Sequence, residues 1–156
     1  MDLMENRTRI MALDIGSKRT GVALSDETLL FASPLMTLEE TQLKPWVSKV
    51  KNLVEEHQVA KVLVGLPLNQ FGEEGRDALN IRKYIAALQE GLSVPVIEWD
   101  ERFTTAQAER TLIDADVSRK GRKKVIDQIA ACIILQGYLD SLKFNRDLES
   151  NSWEQD

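Results

Sequence analysis

The sequence predicts an α/β domain whose mixed central sheet begins with an antiparallel three-strand meander and carries helices on both faces. Three strand-like segments come first, and only short connecting segments separate them: Arg9–Ile15, Thr20–Ser25 and Ala32–Leu38. Farther along, strand patterns alternate with helical patterns, which indicates parallel strands joined by right-handed crossovers. The first segment is apolar on both faces until Asp14, so we expect it to be a central strand.

The spacing of apolar residues predicts the secondary structure in the middle of the chain. Helical spacing predicts an amphipathic helix over Thr41–Glu56 and a second helix from Ala78 to Gly91. Short apolar runs predict two buried strands, Lys61–Gly65 and Val94–Trp99. These elements supply the βαβ part of the sheet.

The last third of the chain is predicted to be helical. Thr104 and Gln107 fit a capping box that opens a helix running to about Asp114. A polar loop over Ser118–Lys124 follows, and then a long helix over Val125–Leu142.

Length and composition indicate one globular domain. The chain has 156 residues, of which 43% are hydrophobic and 29% charged. We assign residues 1–144 to the domain and 145–156 to a polar, flexible C-terminal tail. No apolar run approaches the ~20 residues of a membrane helix. The N-terminus also lacks the basic-then-apolar pattern of an export signal.

Charge and cysteine content narrow the function classes. A net charge of −5 argues against a passive nucleic-acid coat, although it is compatible with an enzyme whose basic residues are clustered. The single cysteine, Cys132, lies in an apolar helical stretch and is interpreted as a core residue. One cysteine indicates a reducing compartment, so we expect a cytoplasmic protein without membrane association.

Asp14 is the first of three carboxylates at the ends of predicted elements. It shares a strand face with Ile10 and Ala12, and an ionised carboxylate among apolar neighbours is costly unless it is paired or binds a metal ion. The alternative is a strand-end aspartate that caps the turn at Gly16. The local pattern leaves both interpretations open.

The second carboxylate is Glu101. If its strand stays extended, Glu101 continues the face of Ile97 and Trp99, whereas Asp100 lies on the other face. This favours Glu101 as the inward ligand. The alternative is a charged turn between strand and helix.

The third carboxylate, Asp127, begins a helix face that is otherwise apolar or aromatic, with Ala131, Ile134 and Tyr138. An acid at this position also interacts favourably with the helix dipole, but that does not explain why it faces inward. Three gathered carboxylates would repel one another without a cation. Mg²⁺ or Mn²⁺ would relieve that repulsion, and two such ions can promote in-line displacement at phosphorus.

Basic residues flank each of the three acids. Lys18 and Arg19 follow Asp14, and Arg102 follows Glu101. The loop before Asp127 contains five more: Arg119, Lys120, Arg122, Lys123 and Lys124. A solvated loop is the alternative, but cations beside acids are what a polyanionic substrate requires, so we predict that they bind phosphate groups. Such contacts would position a backbone without reading its sequence.

Four motifs in order resemble the YqgF/RuvX family, which is described as pre-16S rRNA nucleases and Holliday-junction-resolvase-like proteins. They are DIGSKRTGVALSD at 14–26, VGLPLNQFGEEG at 64–75, DERFTT at 100–105 and DQIAACIILQGYL at 127–139. The resemblance runs from about residue 9 to residue 142.

The resemblance implies an RNase H-like fold akin to the RuvC resolvase, with Asp14, Glu101 and Asp127 as the metal-binding acids. It also implies 5′-end maturation of precursor 16S rRNA in the cytoplasm. RuvC has a second aspartate one helical turn beyond its helical one. Ala130 occupies that position here, which weakens the case for junction resolution by the RuvC route.

Four functions therefore stay open at this point. A metal-dependent nuclease acting on structured precursor rRNA, as a monomer or weak homodimer, is the leading hypothesis. A resolvase of four-way DNA junctions needs two symmetric cuts and hence a dimer. The first motif also resembles the phosphate hairpin of actin/Hsp70-like ATPases. Those proteins need two domains that each carry such a motif, whereas DxG occurs here only at Asp14. A non-catalytic RNA-binding factor would keep the basic loop without needing the three acids together.

Overall fold

The computed structural model describes residues 7–68, 71–101 and 122–154, with only the backbone described at 122–124 and 151–154. These ranges contain five strands and three helices. In chain order they are β1 (Arg9–Ile15), β2 (Thr20–Ser25), β3 (Ala32–Leu38), α1 (Leu43–Glu56), β4 (Val59–Leu66), α2 (Arg76–Gly91), β5 (Val96–Asp100) and α3 (Arg122–Glu154).

The strands form one mixed sheet in the order β3-β2-β1-β4-β5. β1 pairs antiparallel with β2, and β2 pairs antiparallel with β3. β1 also pairs parallel with β4, and β4 pairs parallel with β5. The predicted meander and the predicted parallel pairing are confirmed, and β1 lies in the middle of the five strands.

Helices cover both faces of the sheet, as the alternating pattern predicts. On one face, Trp46 of α1 and Leu88 of α2 pack against strand residues such as Met11 and Leu13. On the other face, α3 packs on a second set of strand residues, which includes Ile10 and Ala12. Alternate residues of β1 therefore point to different helices.

The helix α3 is longer at both ends than the sequence predicts. Residues 122–124, expected in a polar loop, are already helical, and residues 145–154, expected in a flexible tail, continue the helix to Glu154. Polar composition shows that a segment lacks an apolar packing face, but it does not prevent backbone hydrogen bonding along a helix. The helix predicted over 104–114 lies outside the described residues.

Over Val125–Ser150, α3 is long and apolar enough to cross a membrane, as judged by length and composition alone. Its apolar residues have another role in this structure. Ala131, Ile134, Leu135 and Leu139 are buried against the sheet. The hydrophobic character of α3 is thus explained by its place in the core.

Candidate functional site

A cavity of about 260 Å³ lies at the carboxyl ends of the parallel strands β1, β4 and β5. Crevices at this edge of an α/β sheet commonly bind ligands. The residues that line it come from segments far apart in the sequence: Asp14, Ile15, Gly16, Ser17, Pro67, Asp77, Asn80, Ile81 and Glu101. Two of the three predicted carboxylate ligands, Asp14 in β1 and Glu101 directly after β5, therefore line one cavity.

Asp14 reaches this cavity because of the strand alternation predicted from the sequence. It shares a face with Ile10 and Ala12, which pack against α3. Only 5% of Asp14 is exposed. A buried carboxylate at the end of a central strand requires a compensating partner, because desolvation disfavours its charged form.

Glu101 is also buried, with 6% exposed, and a glycine makes room for it. A Cβ atom placed on Gly65 would lie 2.6 Å from Oε1 of Glu101 and 2.7 Å from Cδ1 of Ile134. The side chain of Glu101 therefore crosses β4 on the face that α3 covers. Ile97 and Trp99 pack on the same face, so the predicted alternation is confirmed.

A second glycine brings α3 to the same part of the sheet. Gly21 of β2 pairs directly with Asp14 of β1. A Cβ atom on Gly21 would lie 2.0 Å from the main-chain oxygen of Asp127 and 2.9 Å from the main-chain nitrogen of Gln128. Only glycine permits this approach, which places the backbone of Asp127 against the strand neighbour of Asp14.

The carboxylate of Asp127 is bound to Arg19. Nε of Arg19 donates a hydrogen bond to Oδ2 of Asp127 at 3.0 Å. The side chains are 28% and 20% exposed, so the ion pair is partly shielded from solvent. Arg19 is held at the end of a turn in which the backbone N–H of Gly16 donates to the Arg19 carbonyl at 2.8 Å.

The structure thus gathers two of the three predicted acids around the cavity, whereas the side chain of Asp127 is directed to Arg19. Among the side chains described in 7–68, 71–101 and 122–154, no group of three His, Cys, Asp or Glu residues is close enough to hold a metal ion. The expectation that all three carboxylates meet directly is not met with Arg19 in this position.

The residues present still fit a hard divalent cation. Asp14 and Glu101 offer buried oxygen ligands in a cavity that also contains Ser17 and Asn80. Mg²⁺ and Mn²⁺ prefer oxygen ligands and keep water on the remaining positions.

The predicted phosphate-binding residues fall into three groups. Lys18 is exposed in the turn beside the cavity, and Arg19 is paired with Asp127. Arg122, Lys123 and Lys124 form the first turn of α3, where only their backbone is described. The remaining three, Arg102, Arg119 and Lys120, lie outside the described residues. Their contact with substrate stays a prediction.

Three polar residues of the cavity were not predicted. Ser17 lies in the turn after β1, and Asp77 and Asn80 lie one turn apart at the start of α2. The spacing of Asp77 and Asn80 puts them on one helix face. Sequence alone gives no reason to assign them to a site, because polar residues beside the apolar face of a helix are ordinarily solvent-exposed.

Comparison with known proteins identifies the family. Residues 8–141 match RuvX, described as Holliday junction resolvase. The chain belongs to the RuvX family. A relative from Listeria innocua is 49% identical over 135 residues, which cover 85% of this chain and 98% of the relative. A relative from Syntrophomonas wolfei is 47% identical over 139 residues, covering 89% and 99%. Both are named "Putative pre-16S rRNA nuclease".

Solved structures similar to this RuvX chain establish its RNase H-like fold. RuvC of T. thermophilus, in complex with a Holliday junction substrate, superposes with a TM-score of 0.57 at 13% identity, covering 88% of this chain and 96% of RuvC. Fowlpox virus resolvase, with junction DNA, gives a TM-score of 0.50 at 17% identity, covering 86% and 98%. At these identities the likeness supports the fold alone.

Proposed function

We propose that this RuvX protein is a divalent-metal-dependent nuclease that hydrolyses phosphodiester bonds. The observation that carries the proposal is the pair of buried carboxylates, Asp14 and Glu101, in one cavity at the carboxyl ends of the parallel strands. Buried acids at such a position form the kind of oxygen-ligand site that phosphoryl-transfer enzymes use. The names of the relatives support the same activity.

Each part of the site has a role in this proposal. Asp14, Glu101 and Asp127 would hold Mg²⁺ or Mn²⁺, which supplies charge neutralisation and water activation when it is bound. The surrounding strands and α3 leave Asp14 and Glu101 only 5% and 6% exposed, which shields their carboxylates from bulk water. Lys18, Arg102 and the basic residues over 119–124 would bind the phosphates that flank the scissile bond.

We propose precursor 16S rRNA as the substrate and 5′-end maturation as the process, because the relatives carry that name. The protein would then act in the cytoplasm as a monomer or weak homodimer. A second candidate, resolution of four-way DNA junctions, is favoured by the description of the matching family. Two symmetric cuts would require a stable dimer.

The first prediction tests the chemistry with Asp14→Asn. We expect cleavage to fall by about 100-fold or more, because the amide cannot hold a cation as a carboxylate does. End-labelled precursor rRNA and a four-way DNA junction are incubated with each protein in Mg²⁺, in Mn²⁺ and in a chelator. Asp147→Asn, an exposed change on α3, is the matched control and is expected to cleave like the wild type.

The outcomes separate the candidate functions. Cleavage of RNA but not of the junction supports rRNA maturation, and paired junction cuts by a dimer support resolution. Equal cleavage by wild type and Asp14→Asn would refute the assigned site. Binding of RNA without metal dependence or cleavage in any variant would support a non-catalytic RNA-binding factor instead.

A further inference from the structure

The Arg19–Asp127 ion pair joins two residues that the proposed chemistry needs for different partners. Asp127 belongs to the acids proposed to hold a cation, and Arg19 belongs to the cations proposed to hold phosphate. In the structure they bind each other at 3.0 Å, although 108 residues separate them in sequence. Neither side chain is deeply buried, so core packing does not hold either of them in place.

We propose that Arg19 is an exchangeable positioning residue, which occupies Asp127 in the substrate-free protein and transfers to a substrate phosphate when nucleic acid binds. This inference rests on the proposed function and adds a coupling between substrate and metal. The transfer breaks one charge-assisted hydrogen bond, from the guanidinium to the carboxylate. It forms another, from the same guanidinium to a phosphate oxygen.

The exchange is chemically matched because carboxylate and phosphate oxygens offer the guanidinium similar acceptors. Partly exposed ion pairs are only marginally stable. A phosphate of the substrate can therefore compete for Arg19 at little free-energy cost. The turn that carries Arg19 also places Gly16 and Ser17 in the wall of the cavity, so the released guanidinium starts from the edge of the site.

The backbone of Asp127 is positioned by a contact that does not involve its ion pair with Arg19. Its main chain lies against Gly21, which is the strand neighbour of Asp14. We therefore expect the carboxylate to change its partner by side-chain rotation, which is fast. Arg19 and a cation would then compete for Asp127, so phosphate binding and metal binding should strengthen each other reciprocally.

The second prediction uses the full-length chain without substrate. Mn²⁺ alone is titrated into wild type, Arg19→Gln, Arg19→Lys and Lys18→Gln, and free Mn²⁺ is measured by electron paramagnetic resonance. We expect Arg19→Gln to bind Mn²⁺ about fivefold more tightly than wild type, because Asp127 loses its competing partner. Arg19→Lys is expected to lie between them.

Lys18→Gln is the matched control. It removes an equal charge from the same turn, but Lys18 is exposed and is not the partner of Asp127. We therefore expect its Mn²⁺ affinity to stay within about twofold of wild type. Oligonucleotide binding in a chelator is measured in parallel. Arg19→Gln should lower the slope of log affinity against log salt by about one phosphate contact.

The direction in which Arg19→Gln changes the Mn²⁺ affinity distinguishes exchange from a merely structural role. If Arg19 only holds Asp127 in place, Arg19→Gln should bind Mn²⁺ more weakly, and that result overturns the proposal. Equal affinities in Arg19→Gln and Lys18→Gln also overturn it. Should wild type bind Mn²⁺ and cleave RNA while Arg19→Gln binds no tighter, the exchange fails and the nuclease function stands. If no variant binds Mn²⁺ or cleaves, both fail.

Discussion

Single residues with no side chain determine how closely the acids approach at this site. Gly65 leaves the space that the Glu101 carboxylate fills, and Gly21 leaves the space that the α3 backbone fills. The two contacts differ in what a methyl group would meet. At Gly65 it meets the end of a flexible side chain, whereas at Gly21 it meets main-chain atoms.

The third prediction is that Gly65→Ala impairs cleavage more than it impairs folding. The new methyl group would lie 2.6 Å from Oε1 of Glu101, so the carboxylate must move away from its position in the cavity. We expect the cleavage rate to fall by about tenfold or more. The melting temperature should fall by only a few degrees, on the order of a 1 kcal/mol change.

Gly75→Ala provides the comparison for this variant. Position 75 precedes α2, and a Cβ atom there would meet nothing within 4 Å. Its cleavage rate and melting temperature should match those of wild type. An active Gly65→Ala protein with unchanged metal dependence would mean that the position of Glu101 is not critical.

Cys132 illustrates a residue whose role the sequence predicts correctly. Its side chain is partly buried and packs against the apolar cluster between α3 and the sheet. Burial raises the pKa of the Cys132 thiol to about 11, which favours the protonated form at neutral pH. Both observations agree with a residue that packs against the core.

At the level of secondary structure, the strands are predictable and the helix ends are less so. The bounds of β1, β2 and β3 agree with the sequence pattern because short runs of strand-forming residues define them locally. The ends of α3 were predicted wrongly because polarity says little about where backbone hydrogen bonding stops. The mixed sheet with its meander and the face of Glu101 followed from the sequence pattern, whereas the RNase H-like fold was implied by the family resemblance.

The ion pair between Arg19 and Asp127 could not be predicted from local sequence patterns. Each residue has a defined place in its own element, but their meeting depends on how α3 crosses β2, which no local pattern encodes. The same holds for Asp77 and Asn80. Their arrival in the cavity depends on the packing of α2 against the sheet edge.

The loop between β2 and β3 gives the fourth prediction, which concerns pH. Asp26 accepts backbone hydrogen bonds from Phe31 at 2.9 Å, Leu30 at 2.9 Å and Thr28 at 3.1 Å, and another from the Thr28 hydroxyl. The backbone N–H of Phe31 and the Thr28 hydroxyl contribute most to lowering the pKa of Asp26 to about 2. A charged Asp26 thus organises the hairpin loop.

Because the pKa of Asp26 is lowered on folding, its contribution to stability is present above its unfolded pKa of about 3.9 and is lost as pH falls toward 2. We expect Asp26→Asn to be less stable than wild type at pH 7, and the difference to shrink between about pH 4 and pH 2. Urea unfolding at each pH measures it. A difference for Asp26→Asn that stays constant from pH 7 to pH 2 would contradict the role of charge.

Considered as a whole, the molecule combines a family domain with a helical extension. The family match ends at residue 141, whereas α3 continues to Glu154. Residues 143–150 are all exposed. The fold and the proposed site therefore lie within the part of the chain shared with the relatives.

The fifth prediction is that deletion of residues 145–156 leaves cleavage within about twofold of wild type and shifts the melting temperature by no more than about 2 °C. The side chains described in this segment, those of residues 145–150, are all exposed, and exposed residues contribute little to the core. Differential scanning fluorimetry and the rRNA cleavage assay measure both effects. A longer deletion after Tyr138 removes Leu139, which is 1% exposed, and is expected to abolish folding. Loss of cleavage on the shorter deletion alone would assign a function to the extension.

The length of α3 also makes the protein suitable for distance measurements. From Asp127 the helix continues for 27 residues to Glu154, a span of about 40 Å at 1.5 Å per residue. A fluorophore attached near Glu154 would be joined to the site by a continuous helix. Energy transfer to a dye on an oligonucleotide would then report the direction in which the strand leaves the cavity.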